Sequence, residues 1–335
     1  MKKILTSLLI LISLAGCHYI DSYSNNNAGN FEALWTQLNE HYCFFREKDI
    51  DWEEVGNRYR ARISPEMTNR ELFDVCAEML DELKDGHTNL SAPFNVSYYR
   101  KWWSDYPQNF DLRIIEEDYF NFNYKQAGGF IYGRLFENIA YIRYASFSSP
   151  TSESTLDYAL ADCASCFGLI LDIRDNGGGS MTNVDLLAAR FITERTLLGY
   201  ISHKTGPGKD DFSKPYAYYL DPAPEYRIRW TKPVIILTNR STFSAANNFV
   251  SIMQYLPNVR IVGDRTGGGS GMPFSGELPN GWGIRFSACS VTDARGLITE
   301  NGIEPSEGCK VDMDPEQAAR GIDTILEFAI RLLQK

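Results

Sequence analysis

Histidine is scarce in this chain: the 335 residues contain four, at positions 18, 41, 87 and 203. They form no H-E-x-x-H or comparable cluster, so a metal-activated nucleophile has no candidate ligand set. Neither G-x-G-x-x-G nor G-x-x-x-x-G-K-[ST] occurs, which removes the two common phosphate cradles. No cofactor is called for. No basic patch stands out and the formal net charge is −10, which argues against nucleic acid, a partner whose phosphates need neutralising. There is no internal repeat. The apolar run at the N-terminus, residues 4–15, is too short to span a bilayer comfortably.

What is present supports a real core: 44% of the residues are hydrophobic, and the length suits one large domain or two small ones. Lys2 and Lys3 precede the short apolar run, and Leu14-Ala15-Gly16-Cys17 closes it. Small residues directly before a cysteine resemble a bacterial lipoprotein signal, in which Cys17 is lipidated and becomes the new N-terminus. The expectation is a signal peptide over residues 1–16 and a protein exported to the bacterial cell envelope, on its periplasmic or surface side, held to a membrane through Cys17. An ordinary secretory signal would also export it. Residues 17–29, rich in Asn and Ser, read as a flexible tether. Six further cysteines remain, and sequence alone cannot choose among their pairings. Cys163-Ala-Ser-Cys166 has the spacing of a redox or zinc half-site without a second half, so buried thiols or a structural bridge are the simpler reading.

Residues 30–92 read as a helical subdomain. Phe31, Leu34, Trp35 and Leu38 keep a helical stripe, and Thr68-Asn69-Arg70-Glu71 is a capping-box pattern ahead of Leu72, Phe73, Cys76 and Leu80. His87 follows an Asp-Gly turn where helix hands over to strand. Residues 93–135 are rich in aromatics and read as a connecting β segment. From residue 136 onward strands and helices alternate: strands near 139–144, 167–173, 234–237, 260–262 and 283–291, helices near 152–163, 184–192 and 316–333, and a helix with Ser244 in its first turn and Ala246, Phe249, Val250 and Met253 at helical spacing. That alternation implies an α/β core over 136–335.

The chemistry gathers around residues 233–256. Val234, Ile235, Ile236 and Leu237 form an apolar run typical of a strand covered on both faces. A polar turn follows, in which Ser241 or Thr242 can cap the next helix. Ser244 falls in the first helical turn, where unpaired N–H groups favour a developing anion. A hydroxyl there, at the carboxyl end of a core strand, is a candidate nucleophile; the plainer reading is helix capping. Gly177-Gly178-Gly179 follows the 167–173 strand. A glycine N–H from Gly177 or Gly178, with the Ala245 N–H, would make an oxyanion hole; a simple turn is the alternative. Of the histidines, His18 adjoins the anchor, His41 lies in a helical stretch and His203 in a strand, which leaves His87 as the best-placed base.

Asp85-Gly86-His87-Thr88, the run from Leu171 to Gly179 (LDIRDNGGG), Thr242-Phe243-Ser244-Ala245-Ala246, Val262-Gly263-Asp264-Arg265-Thr266-Gly267-Gly268 and Glu300-Asn301-Gly302-Ile303-Glu304-Pro305 occur in this order. Together they resemble the tail-specific (C-terminal-processing) serine protease family over about residues 30–312. One branch of that family uses a Ser–Lys dyad, but Gly269 stands where that lysine would be. The sequence is similar to the other branch, that of the tricorn core and the retinoid-binding-protein repeats. The resemblance implies a Clp protease/crotonase-like α/β fold. It also implies Ser244 as nucleophile, His87 as general base and Glu300 as the carboxylate that orients it, with Glu304 as fallback. A peptide or protein substrate, cleaved through an acyl-enzyme by a serine endopeptidase, follows. So does an oxyanion hole from Ala245 with Gly177 or Gly178. No counterpart of the family's PDZ domain is recognisable. Asn247 replaces the usual acid of S-A-A-E, and Ser306 the usual Asp of G-I-x-P-D. The binding-only relatives keep open a silent peptide- or apolar-ligand-binding lipoprotein, and an esterase is a further reading.

Overall fold

The computed structural model describes residues 22–136 and 138–334. The lipidation candidate Cys17, the signal segment and His18 lie outside the described residues. The helices are α1 (Asn27–His41), α2 (Trp52–Arg60), α3 (Asn69–Asp81), α4 (Lys101–Ser104), α5 (Leu112–Ile114), α6 (Glu153–Asp162), α7 (Met181–Ala188), α8 (Ala245–Met253), α9 (Pro315–Ala318) and α10 (Thr324–Leu333). The strands are β1 (Asn89–Ala92), β2 (Asn95–Val96), β3 (Lys125–Ala127), β4 (Phe130–Leu135), β5 (Ile139–Tyr144), β6 (Gly168–Asp172), β7 (Thr196–His203), β8 (Tyr216–Leu220), β9 (Val234–Thr238), β10 (Val259–Gly263), β11 (Met272–Glu277) and β12 (Gly283–Asp293). The chain forms two compact units.

The first unit holds the residues up to Tyr99 together with His203–Ser213 and Pro273–Cys289. Its helices start where capping chemistry directs. Asp51 accepts the Glu54 N–H ahead of α2, and Thr68 and Glu71 cap α3 reciprocally. The Asn-rich stretch expected as tether is partly structural. Asn26 accepts the Gly29 N–H as the cap of α1, and the Asn27 amide donates to the Ser64 carbonyl at 2.9 Å. Asparagine competes well for such caps, which is why a composition typical of linkers can also start a helix. One core joins Phe31, Leu34 and Leu38 of α1 to Leu72, Phe73 and Leu80 around α3, and takes in Trp282, Ile284 and Phe286 from far along the chain. β1 pairs antiparallel with β12, Asn89 opposite Arg285, which positions the turn carrying His87.

The second unit holds Arg100–Ser202, Lys214–Met272 and Ser290–Lys335. Its sheet has the order β10-β9-β6-β5-β4-β3. β10, β9, β6 and β5 run parallel, and β4 and β3 turn back antiparallel. Alternate residues of one strand enter opposite cores. Val234 and Ile236 of β9 pack with residues of α6, α7 and α8, while Ile235 and Leu237 pack with α10. Each such side chain stabilises the fold by roughly 1.5–3 kcal/mol when fully buried. Continuous apolar runs are the signature of strands covered on both sides, and the fold is α/β as expected.

Two local expectations change. The 93–135 segment is not simply β: α4, α5 and a π-helical turn at Ile115–Tyr119 lie between its short strands. The closing helix is split into α9 and α10. Gly321 between them has φ +76°, and a Cβ there would meet the Asp118 carboxyl at 2.4 Å. Asp323 then restarts the helix by accepting the Ile325 and Leu326 N–H groups.

Candidate active site

Because β6, β9 and β10 are parallel neighbours, their carboxyl ends deliver three loops side by side. These are residues 173–180, 239–244 and 264–271. Ser244 stands immediately before α8 with φ +57° and ψ −121°, and its side chain makes no capping bond to the helix. Neither Ser241 nor Thr242 caps α8 either: the Thr242 hydroxyl donates to the Ile173 carbonyl at 3.0 Å and accepts the Asn239 N–H. Thr242 is therefore a brace between two loops. The strained backbone at Ser244 is held from both sides. Phe243 N–H donates to the Asn176 carbonyl at 3.0 Å, and Ser244 N–H to the Gly268 carbonyl at 2.8 Å. A non-glycine residue at positive φ costs about 1–3 kcal/mol and persists only where its surroundings over-determine it.

The glycine loop sits against this serine. A Cβ on Gly178 would lie 2.7 Å from the Ser244 Cβ and 2.9 Å from the Ala245 nitrogen, and Gly178 has φ +98°. Its N–H donates to Asn176 Oδ1 at 3.0 Å, so it is already committed. Gly177 faces open space, and neither its N–H nor that of Ala245 donates to a described residue. Asn176 is fully buried and also donates to the Tyr144 carbonyl, which fixes the loop. Sequence reading missed Asn176; the Asn-Gly step after a buried strand was its only signal.

Glu300 is buried, 6% exposed, and its Oε2 accepts the Ser270 N–H at 2.9 Å. Its carbonyl accepts the Gly269 N–H at 3.0 Å. Glu304 lies apart in character: its side chain is 57% exposed and pairs with Arg265 and Lys310. Asn247, where an acid was expected, ties α8 to both neighbouring loops. It donates to the Thr299 hydroxyl at 3.1 Å and accepts the Thr266 hydroxyl at 2.6 Å. The altered residue thus makes its contact as a neutral amide. Gly269 has φ +76°, and a Cβ there would lie 2.4 Å from the Phe243 ring, so a lysine does not fit the position.

In the first unit, His87 is 3% exposed and its N–H donates to Asp85 Oδ1 at 2.7 Å. Burial pushes the imidazole pKa down to about 4; the Asp85 carboxylate pulls it upward, and Arg285 and Lys48 push it further down. The ring is therefore neutral at ordinary pH, the form a base requires. Asp85 is completely buried, and its Oδ2 has no hydrogen-bond partner among the described residues. His41 ends α1 beside Glu40, and His203 ends β7. No disulfide joins the described cysteines; all are buried except the half-buried Cys289.

The family matches set the class of this mixed α/β fold: a serine peptidase. Residues 138–307 match the model of peptidase family S41, and residues 23–81 that of the tricorn protease C1 domain. A protein of Parabacteroides merdae ATCC 43184 with a known crystal structure is 50% identical, aligned over 93% of this chain and 98% of that one, with TM-score 0.88. The chloroplastic C-terminal processing peptidase of Tetradesmus obliquus is 27% identical over 60% of this chain and 40% of its own length. Mature CPAF shares the fold at TM-score 0.68 and 12% identity, over 92% of this chain and 97% of that one. The chain belongs to peptidase family S41, the tail-specific proteases. It spans only 14% of one curated relative, from Chlamydia muridarum, and 40% of the algal enzyme.

Proposed function

We propose that the chain is an exported, lipid-anchored serine endopeptidase that cleaves peptides or protein tails. The observation that carries this is Ser244: held at positive φ before α8, excused from capping, beside two uncommitted N–H groups. In the proposed cycle, neutral His87 takes the Ser244 hydroxyl proton as Oγ forms a bond to the scissile carbonyl carbon. The N–H groups of Ala245 and Gly177 receive the charge that develops on the carbonyl oxygen. Collapse breaks the C–N bond, and the leaving amine takes the proton from His87. Water, deprotonated by the same imidazole, then releases the acyl group and restores Ser244. Glu300 is the proposed orienting carboxylate; its burial and the Ser270 N–H bond favour it over the exposed, doubly paired Glu304. In the proposal residues 1–16 are removed and Cys17 carries the anchor. Among the described residues no helix is long and apolar enough to cross a membrane.

Fluorophosphonate labelling tests the proposal. Wild type should label at Ser244, and Ser244→Ala and His87→Ala should not. A folded wild type that fails to label would overturn it in favour of a binding lipoprotein. Parallel turnover of matched ester and peptide substrates separates peptidase from esterase.

A further inference from the structure

Next to the nucleophile loop, the second unit carries a cavity of about 250 Å³. Its walls include Trp103, Tyr106, Asp175, Asn239, Arg240 and Ser241. Two of the loops already described supply the polar wall. Asp175 lies on the loop that carries Gly177, and Arg240 and Ser241 lie on the loop that leads to Ser244. The carboxyl end of a parallel sheet is where α/β proteins place ligands.

Arg240 is the unusual member. It is 8% exposed, yet its partners are all neutral. Nε and Nη2 donate to the Trp102 carbonyl at 3.2 and 2.8 Å, and Nη1 donates to the Thr266 carbonyl at 3.0 Å. The guanidinium lies over the Tyr106 ring, 4.1 Å from its centroid. No carboxylate among the described residues forms an ion pair with it, and the guanidinium carries more N–H donors than these bonds use. Burial, with Arg265 nearby, pushes its pKa below the usual value, while Asp264 and Glu304, outside ion-pair distance, pull it back up. The other buried arginines of this unit all have carboxylates: Arg143 has Asp172, Arg174 has Asp172 and Asp323, and Arg190 has Glu153 and Asp157. A buried cation with no carboxylate in direct contact gains when an anion reaches it. Asp175 is the acidic group facing the same space. Its Oδ1 is held by the Asn239 amide at 2.8 Å, and no cation among the described residues pairs with it.

We infer that this cavity is a carboxylate-binding subsite, in which Arg240 receives a carboxylate of the peptide substrate. The rings of Trp103 and Tyr106 flank the bound residue, and Asp175 offers an acceptor to its N–H. A chain-terminal carboxylate and an Asp or Glu side chain share this chemistry. The inference deepens the peptidase proposal and rests on it for the nature of the ligand.

The test compares degenerate hexapeptide pools as competitors of fluorophosphonate labelling: one with free C-termini, one amidated, and one amidated with a fixed internal Glu. The free-acid pool should slow labelling of wild type about tenfold more than the amidated pool, the worth of one charge-assisted contact. Arg240→Gln should reduce that preference below about twofold, and Arg240→Lys should keep most of it. Ser241→Glu, which sets a carboxylate inside the cavity, should also abolish it and serves if Arg240→Gln does not fold. Protection by the internal-Glu pool assigns the site to side chains; protection by the free-acid pool alone assigns it to chain ends. Equal protection by all pools, or a preference that survives both Arg240→Gln and Ser241→Glu, overturns the subsite. If the folded protein does not label at all, the peptidase proposal fails separately. Fluorescence polarisation with dye-labelled pools then reads the acid-over-amide preference directly, and its absence there overturns the subsite too.

Discussion

Ser152 and Ser244 both stand at the N-cap of a helix in the same unit, and they are used in opposite ways. Ser152 has extended backbone, φ −150°, and its hydroxyl accepts the Thr155 N–H at 3.2 Å in a reciprocal box. Ser244 has φ +57°, and its side chain makes no capping bond to its helix. One hydroxyl satisfies an orphan donor; the other is turned away from that task while the backbone carries strain. Local helix chemistry explains the first completely. For the second, the three packed loops must be invoked, and a serine kept from capping at such a cost is what a nucleophile requires.

Substitutions at the two serines should separate the roles most sharply. Ser244→Ala is expected to lower labelling or turnover by roughly 10⁴–10⁶-fold, with thermal stability shifted by no more than about 0.5 kcal/mol; a calorimetric scan beside the activity assay checks both. Gly178→Ala attacks the geometry that holds Ser244. Positive φ and the 2.7 Å approach to the Ser244 Cβ should together cost about 2–4 kcal/mol, read by chemical denaturation, with labelling lost even where the protein is folded. Asn247→Leu removes the amide that ties Thr266 and Thr299 to α8. It should cost about 2–3 kcal/mol and slow labelling by roughly tenfold or more through the displaced loop of Glu300.

The pH profile gives a smaller but sharper effect. His87 is depressed from 6.5 to about 4 by burial, so the ring stays neutral well below the usual imidazole range. The labelling rate should fall with a midpoint near 4 and not near 6.5. Asp85→Asn should move that midpoint lower still, because the Asp85 charge opposes the depression. For stability, the unfolded chain binds the proton more readily. The His87 contribution is therefore present above pH 6.5 and lost as pH falls from about 6.5 towards 4. Denaturant titrations of wild type and His87→Gln across that window measure it. Least of all, Ser152→Ala should cost about 1 kcal/mol and leave labelling unchanged; an effect on chemistry there would erase the contrast between the two serines.

Two of the buried arginines, Arg174 and Arg240, extend the same contrast. Arg174 is locked between Asp172 and Asp323, with Phe110 packed on its face 4.5 Å away. Arg240, 8% exposed, hydrogen-bonds carbonyls alone among the described residues. Buried charge by itself does not tell structure from binding; the sign and identity of its partners do.

The amino-acid sequence by itself determined the strands of the parallel core, because residues covered on both faces must be apolar without interruption. It also marked the capping box at Thr68, and the turn at His87 by its Asp-Gly step. It supplied the ordered motifs that carry the family, and the missing lysine at Gly269. What only the tertiary structure decided depends on residues far apart in the chain. The positive φ of Ser244 arises from bonds to Asn176 and Gly268. The choice of Gly177 over Gly178 as an uncommitted donor arises from Asn176. The contrast between Glu300 and Glu304 is one of burial, which two glutamates four residues apart do not announce. The neutral bridge of Asn247 and the unpaired charge of Arg240 likewise exist only once separate loops meet, since a hydrogen bond or a counter-charge is a property of a pair and never of one position.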